Sequence, residues 1–334
     1  MDIFGRLRQF EALTHFSDHQ IDLLASCTSR VRYPAGTAIL KEGDDSREFY
    51  FVDAGEIEIQ RSTPYGRYTL ARLSAGSIFG EAAFVDENAR SGDALVVSDA
   101  VLLPIGAAPL ASLMEEDRKF TLALYWALWK SLSHKLRSTN ESLAHFFSEA
   151  PAAAKPRRTR ATPTEDVHVG VGAKRELFRE QKGLSPLEIN FLATLSKEMK
   201  FAPDEYIFRE GEEGDRLYVV LEGRVMISKE IVDAGEEALA FLERGDYFGE
   251  MALIDDQPRS ADARAHSDGA VVLTISSEVL EGILDIQKVS SLRLLKLLCR
   301  LVAKRLREID DKLVGWYIFN AGAGESLTIS GAGS

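Results

Sequence analysis

Residues 79–84, FGEAAF, and residues 90–92, RSG, return later in the chain as FGEMAL at 248–253 and RSA at 259–261. In both places a glutamate follows Phe-Gly directly, and an arginine lies nine positions after that glutamate. Two matches with the same internal spacing predict a duplicated structural unit.

The repeat extends upstream of these motifs. Residues 41–55 contain KEG, FYFV and a final glycine, and residues 209–223 contain REG, LYVV and a glycine at an offset of 168. Each copy starts with a helical stretch, at 17–28 and at 185–197, continues with short β-type runs between glycines, and ends in a long helix. This rhythm is typical of a compact antiparallel roll. We predict an α+β, mainly β, fold: two tandem β-jelly-roll (double-stranded β-helix) domains flanked by helices, with a long C-terminal helix after each barrel.

Composition shifts place the domain boundaries. We predict a first domain at 1–150, a linker at 151–171, a second domain at 172–319 and a flexible tail at 320–334. The linker begins with three prolines and four basic residues within 151–164 and has no apolar period, which is typical of an exposed segment. A docking or phosphorylation site in its basic run is the alternative. The tail is rich in Gly and Ser, which favours flexibility.

Composition also excludes several classes of protein. The 334 residues are 45% hydrophobic, enough for a core in each copy, and the net charge of -12 argues against bulk affinity for nucleic acid or an anionic membrane. No apolar run approaches the ~20 residues that span a bilayer, and no secretory signal opens the chain. Cys27 and Cys299 are too few for a disulfide framework or a Cys-based zinc site. We predict a soluble cytoplasmic protein without a nucleic-acid partner or a membrane span.

The repeated motif has the chemistry of an anion site. A glycine before a short helical turn lets a ligand approach the backbone N–H groups, and an arginine on the returning segment makes charge-assisted hydrogen bonds to a phosphate. A glutamate beside a phosphate is repelled by it and is better suited to accept from a hydroxyl group. A phosphate joined to a sugar fits both side chains. The alternative is an internal Glu–Arg ion pair closing a hairpin, which the twofold occurrence disfavours.

On these motifs both copies resemble the cyclic-nucleotide-binding domain shared by the catabolite activator protein, the regulatory subunits of protein kinase A and cyclic-nucleotide-gated channels. The resemblance implies a 3′,5′-cyclic nucleotide as ligand, with no metal and no other cofactor. It places the two glutamates at the ribose 2′-hydroxyl group and the two arginines at the cyclic phosphate. The implied nucleotide-binding residues are Gly80, Glu81, Ala82, Arg90, Ser91 and Gly92 in copy one, and Gly249, Glu250, Met251, Arg259, Ser260 and Ala261 in copy two. Copy one departs from the family pattern at Ala89, where the family favours proline, and at Gly92, where it favours alanine.

The identity of the base depends on weaker signals. Ser91 and Ser260 occupy the position where threonine is associated with cGMP in some kinases and where serine also occurs in bacterial cAMP receptors. We therefore favour cAMP over cGMP as the ligand. In the catabolite activator a Thr-Ser pair reads adenine, and its position aligns here with Thr139 and Asn140, whereas copy two has Ile309-Asp310.

Both long helices carry an apolar stripe with alternating steps of four and three. The positions are Tyr125, Trp129, Leu132, Leu136, Thr139, Leu143 and Phe146 in the first and Leu295, Cys299, Val302, Leu306, Ile309 and Leu313 in the second. This spacing is typical of a coiled-coil seam, so we predict helix packing between the copies or between chains, the latter as a homodimer.

Together these features predict a non-enzymatic second-messenger sensor. Ligand binding would move the long helices and thereby regulate a separate protein partner, a kinase or another effector. The alternative is a scaffolding dimerisation protein whose folds no longer bind ligand. A metal-dependent jelly-roll enzyme is disfavoured because the six histidines are scattered, and a helix-turn-helix module is not expected in the 22 residues after Lys312.

Overall fold

The computed structural model describes residues 2–146, 168–181, 183–231, 235–254, 257–284 and 292–330. Its contacts divide the chain into two compact units. Unit 1 comprises Met1–Thr139 together with Val302–Ser334, and unit 2 comprises Asn140–Leu301. Residues 151–167 of the predicted linker lie outside the described residues.

Copy one consists of helices around an antiparallel sheet. Its helices are α1 (Ile3–Leu7), a 3-10 turn (Glu11–Leu13), α2 (Asp18–Ser26), α3 (Glu81–Asp86), α4 (Ala107–Glu116) and α5 (Arg118–Phe146). Its strands are β1 (Val31–Tyr33), β2 (Ala38–Leu40), β3 (Phe49–Thr63), β4 (Gly66–Leu73), β5 (Ile78–Phe79) and β6 (Asp93–Ile105).

Copy two repeats this order of elements. Its helices are α6 (Val171–Glu180), α7 (Pro186–Leu195), a 3-10 turn (Met251–Leu253), α8 (Ser277–Leu284) and α9 (Leu292–Ser330). Its strands are β7 (Lys197–Phe201), β8 (Tyr206–Phe208), β9 (Arg216–Ile231), β10 (Gly235–Leu242), β11 (Tyr247–Phe248) and β12 (Asp262–Ser276).

The two sheets have equivalent topologies. Copy one pairs in the order β1-β6-β3-β4, with β2 on β6 and β5 on β3. Copy two pairs in the order β7-β12-β9-β10, with β8 on β12 and β11 on β9. The long strands β3 and β6 are antiparallel with several register shifts, which bend them as a roll requires. The predicted α+β fold with two tandem rolls is confirmed.

Helices α2 and α7 each begin with a side-chain cap that the sequence encodes. The Ser17 side chain accepts from the backbone of Gln20, whose side chain accepts from the Ser17 backbone N–H in return. Ser185 and Glu188 form the same reciprocal pair at the start of α7. Such capping boxes satisfy helix N–H groups that have no partner within the helix. The helices predicted to begin at 17 and 185 begin one residue later, with Ser17 and Ser185 as their N-cap residues.

The apolar stripes of α5 and α9 are buried within the single chain. Their described members are all at most 9% exposed: Tyr125, Trp129, Leu132, Leu136, Thr139 and Leu143 in α5, and Leu295, Cys299, Val302, Leu306, Ile309 and Leu313 in α9. The Phe146 side chain lies outside the described residues. A homodimer through these helices stays a prediction. None of the described helices has the length and apolar character needed to cross a membrane.

The C-terminal segment differs from the prediction in two ways. Residues 320–330, predicted as flexible tail, continue α9 as helix, although Gly322 and Gly324 have low helix propensity. Residues 331–334 of the tail lie outside the described residues. The second difference concerns the second domain, predicted to extend to residue 319 and so to include residues 302–319. The contacts group Val302–Ser334 with copy one instead.

Candidate functional site

In copy one the predicted site residues Arg90 and Gly80 are hydrogen-bonded to each other. Gly80 has a left-handed backbone, with φ 85°, and directly precedes α3. Arg90 Nη1 donates a hydrogen bond to the Gly80 carbonyl oxygen at 2.7 Å. A Cβ atom at position 80 would lie 2.9 Å from that Nη1 atom, so both the turn and the contact require glycine.

The other donors of Arg90 also bind groups of copy one. Its Nε donates to Ser46 Oγ at 3.0 Å and its Nη2 to the Glu48 carbonyl oxygen at 2.5 Å. The Glu48 carboxylate lies 3.7 Å away. The arginine is only 4% exposed, and burial lowers its pKa. Copy one therefore holds a cation that is largely removed from water.

The repeated KEG motif positions this arginine through the backbone. The N–H of Gly43 donates to the Arg90 carbonyl oxygen at 3.0 Å, and the Arg90 N–H donates to the Asp44 carbonyl oxygen at 2.9 Å. In copy two, Gly211 and Arg259 make the first of these bonds at 2.9 Å. The two motifs that define the repeat are thus hydrogen-bonded to each other in both copies.

Glu81 begins α3 and is buried, but it does not pair with Arg90. Its Oε1 atom accepts from Ser131 Oγ at 2.8 Å and from Lys135 Nζ at 2.5 Å. Both donors lie on α5, so the alternative of a Glu81–Arg90 ion pair is wrong. The sequence prediction missed Lys135 and Ser131. Lys135 precedes the predicted Thr139 by four residues, one helical turn on the same face, which is the signal that could have identified it.

Copy two has the same arginine–glycine hydrogen bond, but its arginine has different neighbours. Gly249 is again left-handed, with φ 78°, and Arg259 Nη1 donates to its carbonyl oxygen. The Nη2 atom of Arg259 donates to the Arg216 carbonyl oxygen at 2.9 Å. The guanidinium carbon lies 4.4 Å from the centre of the Phe208 ring, a cation–π contact.

Arg259 has fewer polar partners than Arg90. Like Arg90 it is 4% exposed, and burial lowers its pKa. Its Nε atom has no hydrogen-bond partner within the described part of the chain, and no described carboxylate forms an ion pair with it. Glu250 is buried directly after Gly249, at the start of the 3-10 turn. Ser260 Oγ contacts the sulfur of Met251 at 3.7 Å.

Gly92, where the family pattern favours alanine, has a steric explanation. A Cβ atom there would lie 2.8 Å from the Gln60 carbonyl oxygen on β3. The equivalent Ala261 is buried in copy two. In copy one Ala82 and Ser91 are half-buried beside Glu81 and Arg90. The predicted residues of each motif are thus brought together around the glycine.

The predicted base-reading pair is less clearly placed. Thr139 and Asn140 are both buried on α5, but Thr139 belongs to unit 1 and Asn140 to unit 2. On α9, Ile309 and Asp310 are buried and belong to unit 1. Contact with a base stays a prediction for Thr139 and Asn140. Across the described ranges no group of three or more His, Cys, Asp or Glu side chains is suited to a metal ion.

Comparison with known proteins agrees with this geometry. The model of the cyclic nucleotide-binding domain family matches residues 30–117 and 198–287. The chain is 24% identical over 252 residues to a cAMP-dependent protein kinase regulatory subunit of Dictyostelium discoideum, a match covering 74% of this chain and 63% of that one. It is also 24% identical over 268 residues to a cGMP-dependent protein kinase of Caenorhabditis briggsae, covering 80% of this chain and 29% of the kinase.

Among solved structures, the regulatory domain of Toxoplasma gondii PKA with cAMP aligns with 85% of this chain and 92% of its own, at 21% identity and a TM-score of 0.32. The chain spans less than two thirds of the length of both curated relatives. The two matched segments together cover more than half of the chain, and each contains one Phe-Gly-Glu motif with its arginine. The chain therefore belongs to the cyclic nucleotide-binding domain family, with two copies of the domain in tandem.

Proposed function

We propose that the chain is a non-enzymatic sensor that binds a 3′,5′-cyclic nucleotide and regulates a separate protein. The observation that carries this proposal is Arg259. Its guanidinium is buried, is held by two carbonyl oxygens and lies over an aromatic ring. Glu250 and Asp215 act on its charge at longer range, but no described carboxylate forms an ion pair with it. A buried cation of this kind is unfavourable unless an anion joins it.

A cyclic phosphate is a suitable anion for this position. It carries one negative charge, and the guanidinium donors that the protein leaves open supply charge-assisted hydrogen bonds to it. The left-handed Gly249 exposes the backbone ahead of the short 3-10 turn. The buried carboxylate of Glu250 follows at once, where a ribose hydroxyl group is a better partner than a second anion.

We favour cAMP over cGMP as the ligand. Ser91 and Ser260 support this choice, since serine occurs at this position in bacterial cAMP receptors. The similar proteins include a regulatory subunit named for cAMP and a kinase named for cGMP, so family membership alone does not separate the two. The base is therefore an outcome of the binding test.

The regulatory step is proposed to pass through α5 in copy one. There Glu81 accepts hydrogen bonds from Ser131 and Lys135, both on that helix. A ribose hydroxyl group that binds Glu81 must compete with these donors. Ligand binding would thereby weaken the hold of α3 on α5 and shift the helix between two positions. The expected partner is a kinase or another effector protein that contacts the moving helix.

A second function has support in copy one alone. Arg90 already binds Ser46, Gly80 and Glu48, so its charge and its donors are better satisfied than those of Arg259. This is the pattern expected of a ligand-free scaffold. A scaffold role for the whole chain predicts that neither copy binds nucleotide, whereas a scaffold role confined to copy one predicts binding at copy two alone.

Isothermal titration calorimetry with cAMP and with cGMP tests both readings. We expect the wild-type protein to bind, and Arg259→Ala to weaken binding at copy two at least about 30-fold, because a desolvated charge contact is lost. Arg90→Ala tests copy one in the same way. Arg224→Ala, an exposed arginine on β9 paired with Glu243, is the control and should bind as wild type. Absence of binding to either nucleotide in the folded wild-type protein would reject the sensor.

A further inference from the structure

The middle of helix α9 contacts the segments that form the proposed anion site of copy one. Arg307 Nε donates to Asp86 Oδ2 at 2.7 Å, and Nη2 donates to Oδ1 of the same carboxylate at 3.2 Å. The remaining nitrogen, Nη1, donates to the Ala89 carbonyl oxygen at 2.9 Å. Asp86 is the last residue of α3, and Ala89 directly precedes the proposed phosphate ligand Arg90.

A second pair of contacts reaches the other side of the same site. Asp311 accepts from Arg61 Nη1 at 3.0 Å, and Arg61 Nε lies 2.8 Å from the Glu42 carboxylate. Glu42 belongs to the KEG motif, whose Gly43 holds the Arg90 carbonyl oxygen. Helix α9 is therefore connected to both segments that hold Arg90 in place.

Burial of these groups strengthens the contact between α9 and copy one. The Arg307 and Asp86 side chains are 18% and 5% exposed, so their bidentate bond is largely shielded from water and salt. Exposed ion pairs contribute little, whereas removal of one partner from a shielded pair leaves a carboxylate without its counter-ion.

We propose that Arg307 is a positioning residue for the nucleotide site of copy one. It joins the end of α3 to the carbonyl group before Arg90, and so fixes the loop of residues 86–90 that spaces Glu81 from Arg90. The C-terminal part of the chain, contiguous in sequence with copy two, thus completes the site of copy one. This inference rests on the proposed nucleotide site, but its first test does not.

Hydrogen exchange of the ligand-free protein is that first test. Arg307→Gln keeps the helix propensity and removes the bonds to Asp86 and Ala89. We expect faster exchange in residues 81–90, at least about fivefold, because the loop loses three hydrogen bonds to α9. Lys304→Gln, an exposed charge one turn earlier on α9, is the matched control and should leave these residues unchanged.

Arg307→Lys is a second, milder variant in case Arg307→Gln fails to fold. It keeps the positive charge, but its single ammonium group cannot replace all three hydrogen bonds. It should give an intermediate exchange rate. Circular dichroism confirms that each variant is folded. Wild-type exchange rates at residues 81–90 in folded Arg307→Gln would overturn the proposal, whether or not any nucleotide binds.

Nucleotide binding supplies the second test. In an Arg259→Ala background, which isolates copy one, cAMP and cGMP affinities should fall about tenfold on adding Arg307→Gln and stay constant on adding Lys304→Gln. Equal affinities with and without Arg307→Gln would reject the positioning role. If the Arg259→Ala protein binds neither nucleotide, the proposed function of copy one fails, and the exchange experiment decides the role of Arg307 on its own.

Discussion

Asp310 on α9 is a buried carboxyl group, and its titration should make the unfolding free energy of unit 1 depend on pH. Burial raises its pKa from 3.8 to about 7. Asp311 also raises the pKa, whereas Arg61 on β3, Lys135 on α5 and Arg307 lower it. On β4 the pKa of Tyr68 is itself raised, first by burial and then by the charge of Asp310. The folded protein therefore prefers the neutral form of Asp310 despite three nearby cations.

The sign of the effect follows from linkage. An acid with a raised pKa in the folded state contributes stability that is fully present below pH 3.8 and is lost as the pH rises through about 7. A shift of about three pKa units corresponds to roughly 4 kcal/mol at most, at 1.36 kcal/mol per unit. Asp310→Asn imitates the neutral form, so it should equal wild type near pH 4 and exceed its stability by roughly 2–4 kcal/mol at pH 8.

Tryptophan fluorescence during urea unfolding measures this effect in unit 1 alone. The chain has three tryptophans, Trp126, Trp129 and Trp316, and all of them belong to unit 1. The difference in unfolding free energy between Asp310→Asn and wild type should grow between pH 4 and pH 8. Glu308→Gln is the control, because that carboxylate on α9 is 49% exposed and is not among the groups that shift the pKa of Asp310. A difference that stays constant over this range would refute the reasoning.

Three further predictions concern single positions. Gly249→Ala should weaken nucleotide binding at copy two at least about tenfold, because a Cβ atom there would lie 2.6 Å from Arg259 Nη1. Gly282→Ala on α8, with open space around its Cβ atom and no left-handed backbone, is the calorimetric control. Ser185→Ala should destabilise unit 2 by about 1 kcal/mol in thermal melts through loss of the capping box, and an unchanged melting temperature would contradict this. Lys135→Met should destabilise unit 1 by about 3 kcal/mol because Glu81 loses its counter-ion, and adding Glu81→Gln should restore most of the loss in urea melts.

The residues of the proposed anion site could be identified from sequence because they are close in the chain. Arg90 binds the carbonyl group of Gly80, ten residues earlier, and the equivalent bond in copy two has the same separation. A left-handed glycine and a returning arginine have few other purposes at this spacing. Duplication then showed that the spacing is not accidental. The same locality made the capping boxes at Ser17 and Ser185 readable.

Contacts between distant segments could not be predicted in this way. Lys135 lies 54 residues from Glu81, and Arg307 lies 221 residues from Asp86. Lys135 shares a helix face with Thr139, but nothing in the sequence of α5 or α9 identifies a carboxylate partner so far away in the chain. The grouping of Val302–Ser334 with copy one was missed for the same reason, because repeat boundaries describe covalent order and not packing.

The two copies differ in what a nucleotide would replace. In copy two the ligand would neutralise Arg259, a buried cation whose Nε has no described partner, so most of the new interaction is a net gain. In copy one Arg90 and Glu81 already form hydrogen bonds with protein groups, so a ligand would replace one set of hydrogen bonds with another. Such a replacement contributes less binding free energy than a hydrogen bond to a group that had no partner. We therefore expect copy two to fill at lower nucleotide concentration. The exchange in copy one releases Ser131 and Lys135 on α5, so the weaker site is the one where binding is converted into helix movement.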